Sequence, residues 1–141
     1  RPRLLRTIAP PFRAHDLAFS PSGDFVWVTS GTEKRIAIYR ADGRLVTTLE
    51  ADLAPPHLAF GRRVGYVTSG DSGTLRVHRL PDGKLLTSHA IPIGSYNVSS
   101  RSGTLTTPSL SGGSLVIADR NGRVTRTVDV ARNAHDACVL A

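Results

Sequence analysis

Short runs of apolar and β-branched residues alternate with turn residues along the whole chain. Residues 25–29, 35–39 and 45–49 are rich in Val, Ile, Thr and aromatic side chains, which favour a pleated, half-buried surface. A Pro-Ser-Gly-Asp segment precedes the first of these runs, and Asp42-Gly43 separates the last two, as is typical of a tight hairpin. With residues 17–19, this pattern predicts four strands and no helix in the first unit.

The same order of elements recurs with a period of about 40 residues. Thr29-Ser30-Gly31 returns as Thr68-Ser69-Gly70, and the turn pair Asp42-Gly43 returns as Asp82-Gly83 and again as Asn121-Gly122. The second unit is predicted to have strands at 57–60, 64–68, 75–78 and 85–88, and the third at 96–99, 104–110, 114–118 and 124–130. Four short strands per period are typical of β-propeller blades, so we predict an all-β fold of about three four-stranded antiparallel blades.

The two ends of the chain are predicted to be partial blades. Residues 4–8 are similar to the fourth strands, and residues 135–140 are similar to the first strands. The predicted organisation is therefore an outer strand of a preceding blade (1–13), three blades (14–55, 56–94 and 95–133) and the inner strand of a following blade (134–141). Three blades do not close a ring. Because the sequence also lacks Met, we expect the remaining blades of a longer parent chain, or else a second copy, to close it.

Composition narrows the classes of partner. The formal net charge is +7, but the arginines are scattered beside turns, which favours a solvated surface and no nucleic-acid partner. No apolar run is long enough for a membrane span. Cys138 is the only cysteine, which excludes an internal disulfide, and we expect it to be a small buried apolar residue.

Trp27 and Tyr66 are predicted to pack between blades, and the Gly-rich stretches 70–73 and 111–114 are predicted to form hairpin turns.

The opening of each unit resembles the YVTN-type β-propeller repeat. Residues 14–29 are similar to its Pro-His-x-x-Ala-x-Ser-Pro-Asp-Gly opening and the strand that follows, and Gly65-Tyr66-Val67-Thr68-Ser69 is similar to its Tyr-Val-Thr-Asn strand. The WD40 repeat fits less well, because no Trp-Asp pair ends the third strands. The resemblance implies a seven-bladed ring in a bacterial or archaeal protein. It slightly favours an extracytoplasmic location (secreted, periplasmic or cell-surface).

A His-led segment opens each unit and supplies the candidate site. His15, His57 and His135 are equivalent in the repeat, Tyr96 fills the same position in the third unit, and Asp16 and Asp136 follow two of the histidines. In a propeller this position lies at one rim of the central channel. Three alternatives stay open: a hydrogen bond that ties each connecting loop to its neighbour, a polar ligand at the channel mouth, or a metal ion. A His-Asp pair suggests a general base with its orienting carboxylate. Because neighbouring strand residues point to opposite faces, however, we do not expect such a pair to act on one substrate.

These observations give two functional hypotheses. The first is a non-catalytic binding or scaffold module that recognises a small molecule, peptide or surface polymer at the channel mouth, with no metal and no cofactor. The alternative is a lactonase-like or metal-dependent propeller enzyme that uses the same rim. A basic surface for nucleic acid is a third possibility, which would require arginines clustered on one face.

Overall fold

Twelve strands form three four-stranded antiparallel sheets in the computed structural model, which describes residues 1, 3–4, 6–54 and 56–139. Each sheet uses four consecutive strands in chain order. The first contains β1 (Ala14–Phe19), β2 (Phe25–Ser30), β3 (Arg35–Arg40) and β4 (Leu45–Glu50). The second contains β5 (Pro56–Phe60), β6 (Val64–Ser69), β7 (Thr74–Arg79) and β8 (Leu85–Ala90). The third contains β9 (Ser99–Arg101), β10 (Thr104–Ser109), β11 (Ser114–Asp119) and β12 (Val124–Asp129).

The predicted all-β propeller class is confirmed, and the sheets stack as blades. The described part contains no helix long and apolar enough to cross a membrane. The strand β5 lies against β1 on one side and β9 on the other. The first strands of the three blades are therefore neighbours, as the inner strands of a propeller are.

The turns between third and fourth strands help to hold neighbouring blades together. Gly43, Gly83 and Gly122 have φ values of +89°, +72° and +80°, a conformation that glycine adopts without steric cost. A Cβ on Gly83 would lie 2.7 Å from Leu49 Cδ1 of the preceding blade, and one on Gly122 would lie 3.1 Å from His89 Cδ2. The Asp-Gly and Asn-Gly pairs therefore close a hairpin and also fit against the preceding blade's outer strand.

Aromatic residues of the second strands fill the space between blades, as predicted. Trp27 is fully buried and packs edge to face on Phe60 and His78 of the next blade, with ring centroids 5.4 and 5.9 Å away. Tyr66, at the equivalent position of β6, donates its hydroxyl to the carbonyl of Arg120 at 2.8 Å in the third blade. Each buried aromatic side chain contributes roughly 1.5–3 kcal/mol of hydrophobic stabilisation.

A half-buried ion pair fixes the connection between the first two blades. Asp52 lies between β4 and β5, and its carboxylate accepts from Arg76 Nε at 2.7 Å, Arg76 Nη2 at 2.5 Å and Thr74 Oγ1 at 2.6 Å. Both charged side chains are 21% exposed. A two-pronged contact of this kind fixes orientation as well as distance, so it sets the path of the chain into β5.

The flanking segments do not form the predicted strands. No strand is assigned among the described residues of 4–8 or 135–140; Leu5 and Leu140 lie outside the described residues. A strand needs a hydrogen-bonding partner, and the described part of the chain forms no backbone–backbone hydrogen bond to either segment. Ile8 nevertheless lies against the Gly43 turn, where Leu49 and His89 lie against the equivalent turns of the next two blades.

The first strand of the third blade is shorter and later than predicted. The sequence placed it at 96–99, whereas β9 contains only Ser99–Arg101. The backbone at Tyr96 is held by the second blade instead, because the Thr68 hydroxyl donates to the Tyr96 carbonyl. The Gly-rich stretches do form the turns before β7 and β11, as predicted.

Candidate functional site at the start of the inner strands

Two histidines from neighbouring blades meet at the start of the inner strands. The Nε2 atoms of His15 in β1 and His57 in β5 lie 3.1 Å apart, within hydrogen-bond distance. Their rings are nearly perpendicular, with centroids 4.7 Å apart. One ring must therefore donate its Nε2 proton while the other accepts. Neither ring is bound to a backbone group of the described residues. Their mutual hydrogen bond joins the opening segments of two neighbouring blades, so the loop-tying alternative stays open beside the ligand site.

Asp16 joins the same cluster because β1 carries a bulge. The pairing of β1 with β2 slips between Ala14 and Leu17, and a bulge re-aims the side chains within it. Asp16 Oδ2 lies 3.7 Å from His57 Nδ1. His15 and Asp16 therefore both contact His57, although neighbouring side chains of a regular strand point to opposite faces.

Asp16 also links the two blades through backbone. Its Oδ2 accepts from the Leu58 N–H at 3.0 Å, and its Oδ1 accepts from the Leu17 N–H at 2.8 Å. Asp16 thus adds a second link between these blades, beside the contact between His15 and His57. A carboxylate held in this way presents a fixed negative charge to the imidazole of His57.

The environment of His57 disfavours its protonated form. Its side chain is 17% exposed, and burial lowers the pKa of the imidazole, with a further lowering from the nearby His15 and His135. The negative charges of Asp16 and Asp136 oppose this change in pKa. A proton on Nδ1 would face the carboxylate of Asp16 and would leave Nε2 as an acceptor toward His15.

Tyr96 takes the equivalent place in the third blade. Its ring lies 6.4 Å from that of His57, centroid to centroid. It packs flat on the backbone of Gly70, where a Cβ would come within 2.4 Å of the ring. Its hydroxyl donates to Asp71, which raises the pKa of the phenol.

His135 and Asp136 complete the cluster together with Asn97. Asn97 Nδ2 donates to Asp136 Oδ1 at 2.6 Å and to the His135 carbonyl at 3.1 Å. His135 Nδ1 lies 2.9 Å from Asp136 Oδ2, and this contact lowers the pKa of the Asp136 carboxyl. The two members of this His-Asp pair are therefore in contact, because their segment is not a strand.

A small cleft opens beside this last group. It has a volume of about 380 Å³ and is lined by residues 97–99 and 136–138, which is within the range of small-ligand sites. Cys138 lines it and is exposed. The expectation that Cys138 would be buried is therefore wrong, because its segment lies on the surface of the third blade.

The structure places all six predicted residues in one region and adds partners that the sequence did not single out. These are Asp71, which binds Tyr96, and Asn97, which bridges to the His135 segment. Asn97 follows Tyr96 as Asp16 follows His15, so its repeat position was the available clue. Among the described residues, no group of three or more His, Cys, Asp or Glu side chains is arranged to hold a metal ion.

Comparison with known proteins shows the fold and no family. No family model matches the chain, and no curated protein matches it. Two similar solved structures are β-propeller proteins. One is the Kuenenia stuttgartiensis hydrazine synthase, with a TM-score of 0.79, 14% identity, and coverage of 95% of this chain and 42% of that one. The other is the dihydro-heme d1 dehydrogenase NirN, with a TM-score of 0.73, 15% identity, and coverage of 88% and 29%. This chain spans less than half the length of either structure, and the likeness places it among the β-propellers.

Proposed function

We propose that this chain is part of a non-catalytic β-propeller binding module of the YVTN-repeat type. Its ligand is a small molecule, peptide or surface polymer that enters the channel mouth at the start of the inner strands. The remaining blades of the ring, from the parent chain or a second copy, contribute the other side of the site. An extracytoplasmic location fits such a module.

The observation that carries this proposal is the contact between His15 and His57, whose Nε2 atoms lie 3.1 Å apart. Their ring nitrogens bind no backbone group of the described residues. A side chain that repeats for structural reasons would use its polar atoms on neighbouring backbone, as Asp16 does. The imidazoles use theirs on each other, and a polar ligand can replace that mutual hydrogen bond without leaving a buried group unpaired.

The chemistry of the cluster indicates what it would recognise. A neutral imidazole offers one donor and one acceptor. His135 and Asp136 lie exposed beside the 380 Å³ cleft, and the Tyr96 ring adds an apolar edge. Ligands rich in hydroxyl or amide groups match this mixture better than strongly charged ones, because the cluster holds both carboxylates and imidazoles.

A metal-dependent or lactonase-like enzyme remains the second candidate, on one observation. Two ligands of a tetrahedral zinc-type ion, each about 2.0–2.1 Å from it, lie roughly 3.4 Å apart. The two Nε2 atoms are separated by 3.1 Å. Further ligands would then have to come from other blades of the ring. The two structural neighbours named above are, by their names, enzymes, but their likeness to this chain extends to fold alone.

Calorimetric titration of the intact protein separates the two candidates. The probes are a panel of monosaccharides, oligosaccharides and tripeptides, and, separately, zinc ions. Binding of a panel member that is lost in His15→Ala and His57→Ala, and kept in His89→Ala, supports the binding module. His89 is a matched control because it lies on the outer strand β8, bound to the Asn121 carbonyl.

Zinc binding that depends on His15 and His57, together with metal-dependent hydrolysis of a simple lactone, would instead establish the enzyme. No binding of any probe, or binding unaffected by both substitutions, would overturn the proposal that this cluster is the site.

A further inference from the structure

A second and larger cleft lies at the opposite end of the inner strands. It has a volume of about 1050 Å³ and is formed mainly by the loops after β5 and β9 and the turn after β11. The histidine cluster lies at the start of β1 and β5, and the five-residue strand β5 spans roughly 16 Å. The two sites therefore open at opposite ends of the inner strands, on the two faces of the propeller.

Four arginines from three separate segments come together at this cleft. Arg62 and Arg63 follow β5, Arg101 ends β9, and Arg120 lies in the turn after β11. All four are exposed. The arginines appear scattered in the sequence, but the packing of the second blade against the third collects these four around one opening.

The charges of these arginines are not balanced by nearby protein groups. In the described part of the chain, the arginine–carboxylate pairs within 4.0 Å involve Arg35, Arg76 and Arg79. Of the residues that the structure describes, Asp119 is the one acidic residue that lines the cleft. Its Oδ1 accepts from the backbone N–H groups of residues 121 and 123. A concave surface with an excess of one charge concentrates ions of the opposite charge.

The wall of the cleft is apolar as well as basic. Phe60 and Val64 line it and are half-buried. The Tyr66 hydroxyl fixes the carbonyl of Arg120, so the turn that carries this arginine is held in place. A ligand that fills such a cleft would need an apolar surface of its own and anionic groups at its edge.

We propose that this cleft binds a small organic anion that carries two or more carboxylate or phosphate groups on a planar, apolar body. Guanidinium groups match carboxylates and phosphates with two parallel hydrogen bonds. The planar, apolar body of this ligand would lie over Phe60 and Val64. This site is independent of the histidine cluster.

Titration of the intact protein at low ionic strength with three probes tests this proposal. Benzene-1,3,5-tricarboxylate and citrate carry the same number of carboxylates, but only the first is planar and aromatic; inorganic tripolyphosphate is the third probe. We expect benzenetricarboxylate to bind several-fold more tightly than citrate, because it also covers apolar surface. Tripolyphosphate should bind too, through the same arginines.

Paired substitutions assign the binding to the cleft. Arg63→Gln with Arg120→Gln should weaken benzenetricarboxylate binding about tenfold or more. Arg44→Gln with Arg126→Gln removes the same net charge from exposed positions away from the cleft and should change it little. Equal weakening by both pairs would show a general charge effect and would overturn the proposal, as would the absence of binding. A single-stranded oligonucleotide could also bind more tightly than benzenetricarboxylate and lose this binding in Arg63→Gln with Arg120→Gln. The ligand of the cleft would then be a nucleic acid, which contradicts the proposal of a small anion.

His57→Ala separates this inference from the proposed function. It should abolish binding of the polar ligand at the channel mouth and leave benzenetricarboxylate binding unchanged. Loss of both would show that the two faces are not independent sites, which contradicts the inference.

Discussion

His15 and His57 lie 42 residues apart in the sequence, yet their Nε2 atoms are 3.1 Å apart. The repeat explains this contact, because each histidine begins the inner strand of its blade, and inner strands of successive blades are neighbours. The Nδ1 side of His57 faces Asp16, while its Nε2 faces His15. The protonation state of His57 therefore depends on both neighbours.

The pKa of His57 should respond in opposite directions to changes at these neighbours. His15→Ala removes a nearby imidazole that lowers the pKa of His57, so this pKa should rise. Asp16→Asn removes the negative charge that raises it, so the pKa should fall. NMR titration of the His57 ring in each variant measures both effects. Glu33→Gln, in the turn before β3, should leave the pKa unchanged. A fall after His15→Ala would contradict the described geometry.

Acid should destabilise the protein through the half-buried His57 and the buried His78. Burial lowers the pKa of both His57 and His78 in the folded state. Because folding lowers these pKa values, the unfolded chain binds more protons than the folded chain. The stabilising contribution of the neutral histidines is therefore fully present above the unfolded pKa of about 6.5, and it is lost as pH falls through their folded-state pKa values. Denaturant unfolding measured from about pH 8 to about pH 5, on both sides of the unfolded pKa, should show this decline in the free energy of unfolding.

His78 should account for a large part of that acid sensitivity. It is 2% exposed, its Nδ1 lies 2.9 Å from the Gly83 carbonyl, and its Nε2 has no partner in the described structure. His78→Asn should lower stability at neutral pH and flatten its dependence on pH. An unchanged slope in His78→Asn would show that this imidazole does not titrate with unfolding.

Alanine at Gly70 and at Gly31 should have very different effects, although both end the same Thr-Ser-Gly motif. A Cβ on Gly70 would lie 2.4 Å from the Tyr96 ring, whereas one on Gly31 would lie 3.4 Å from His15 Cβ, an ordinary contact. Gly70→Ala should therefore cost about 1–3 kcal/mol of folding free energy, as overpacking does, and should displace Tyr96 from the site. Gly31→Ala should cost much less. Equal losses of stability would mean that Tyr96 does not pack on Gly70.

The two-pronged ion pair between Asp52 and Arg76 should contribute measurably to stability. Asp52→Asn leaves the guanidinium of Arg76 without its half-buried partner and should lower the free energy of unfolding by about 1–2 kcal/mol. Asp82→Asn is the matched control, because Asp82 pairs with Arg79 at the surface, where solvent screens the charges. Denaturant unfolding of both variants measures the difference. A larger loss from Asp82→Asn would contradict this account.

Local sequence determined much of the fold in a way that could be predicted. Turn pairs such as Asp42-Gly43 act through the conformation of a single glycine, and β-branched runs form strands wherever turns bound them. The prediction failed at β9, because Thr68 of another blade holds the backbone at Tyr96. A side-chain contact between blades outweighed local strand preference there, and no pattern within residues 96–99 reveals it.

The candidate site could be predicted in its residues but not in its geometry. The repeat period places His15 and His57 at equivalent positions, so their proximity follows from stacking. The bulge that turns Asp16 toward His57 breaks the alternation on which strand predictions depend. The arginine cleft could not be foreseen either, since Arg63 and Arg120 meet only when two blades pack together.

The nitrogen NMR signals of the histidine rings test the central claim most directly. Long-range ¹H–¹⁵N spectra of the intact protein report the Nε2 shifts of His15, His57 and His89 separately. Adding the tightest-binding saccharide or tripeptide of the panel should move the His15 and His57 signals together and leave His89 unchanged. If the ligand moves only signals outside the cluster, or if zinc alone moves the His15 and His57 signals, these histidines do not form the polar-ligand site proposed for the channel mouth.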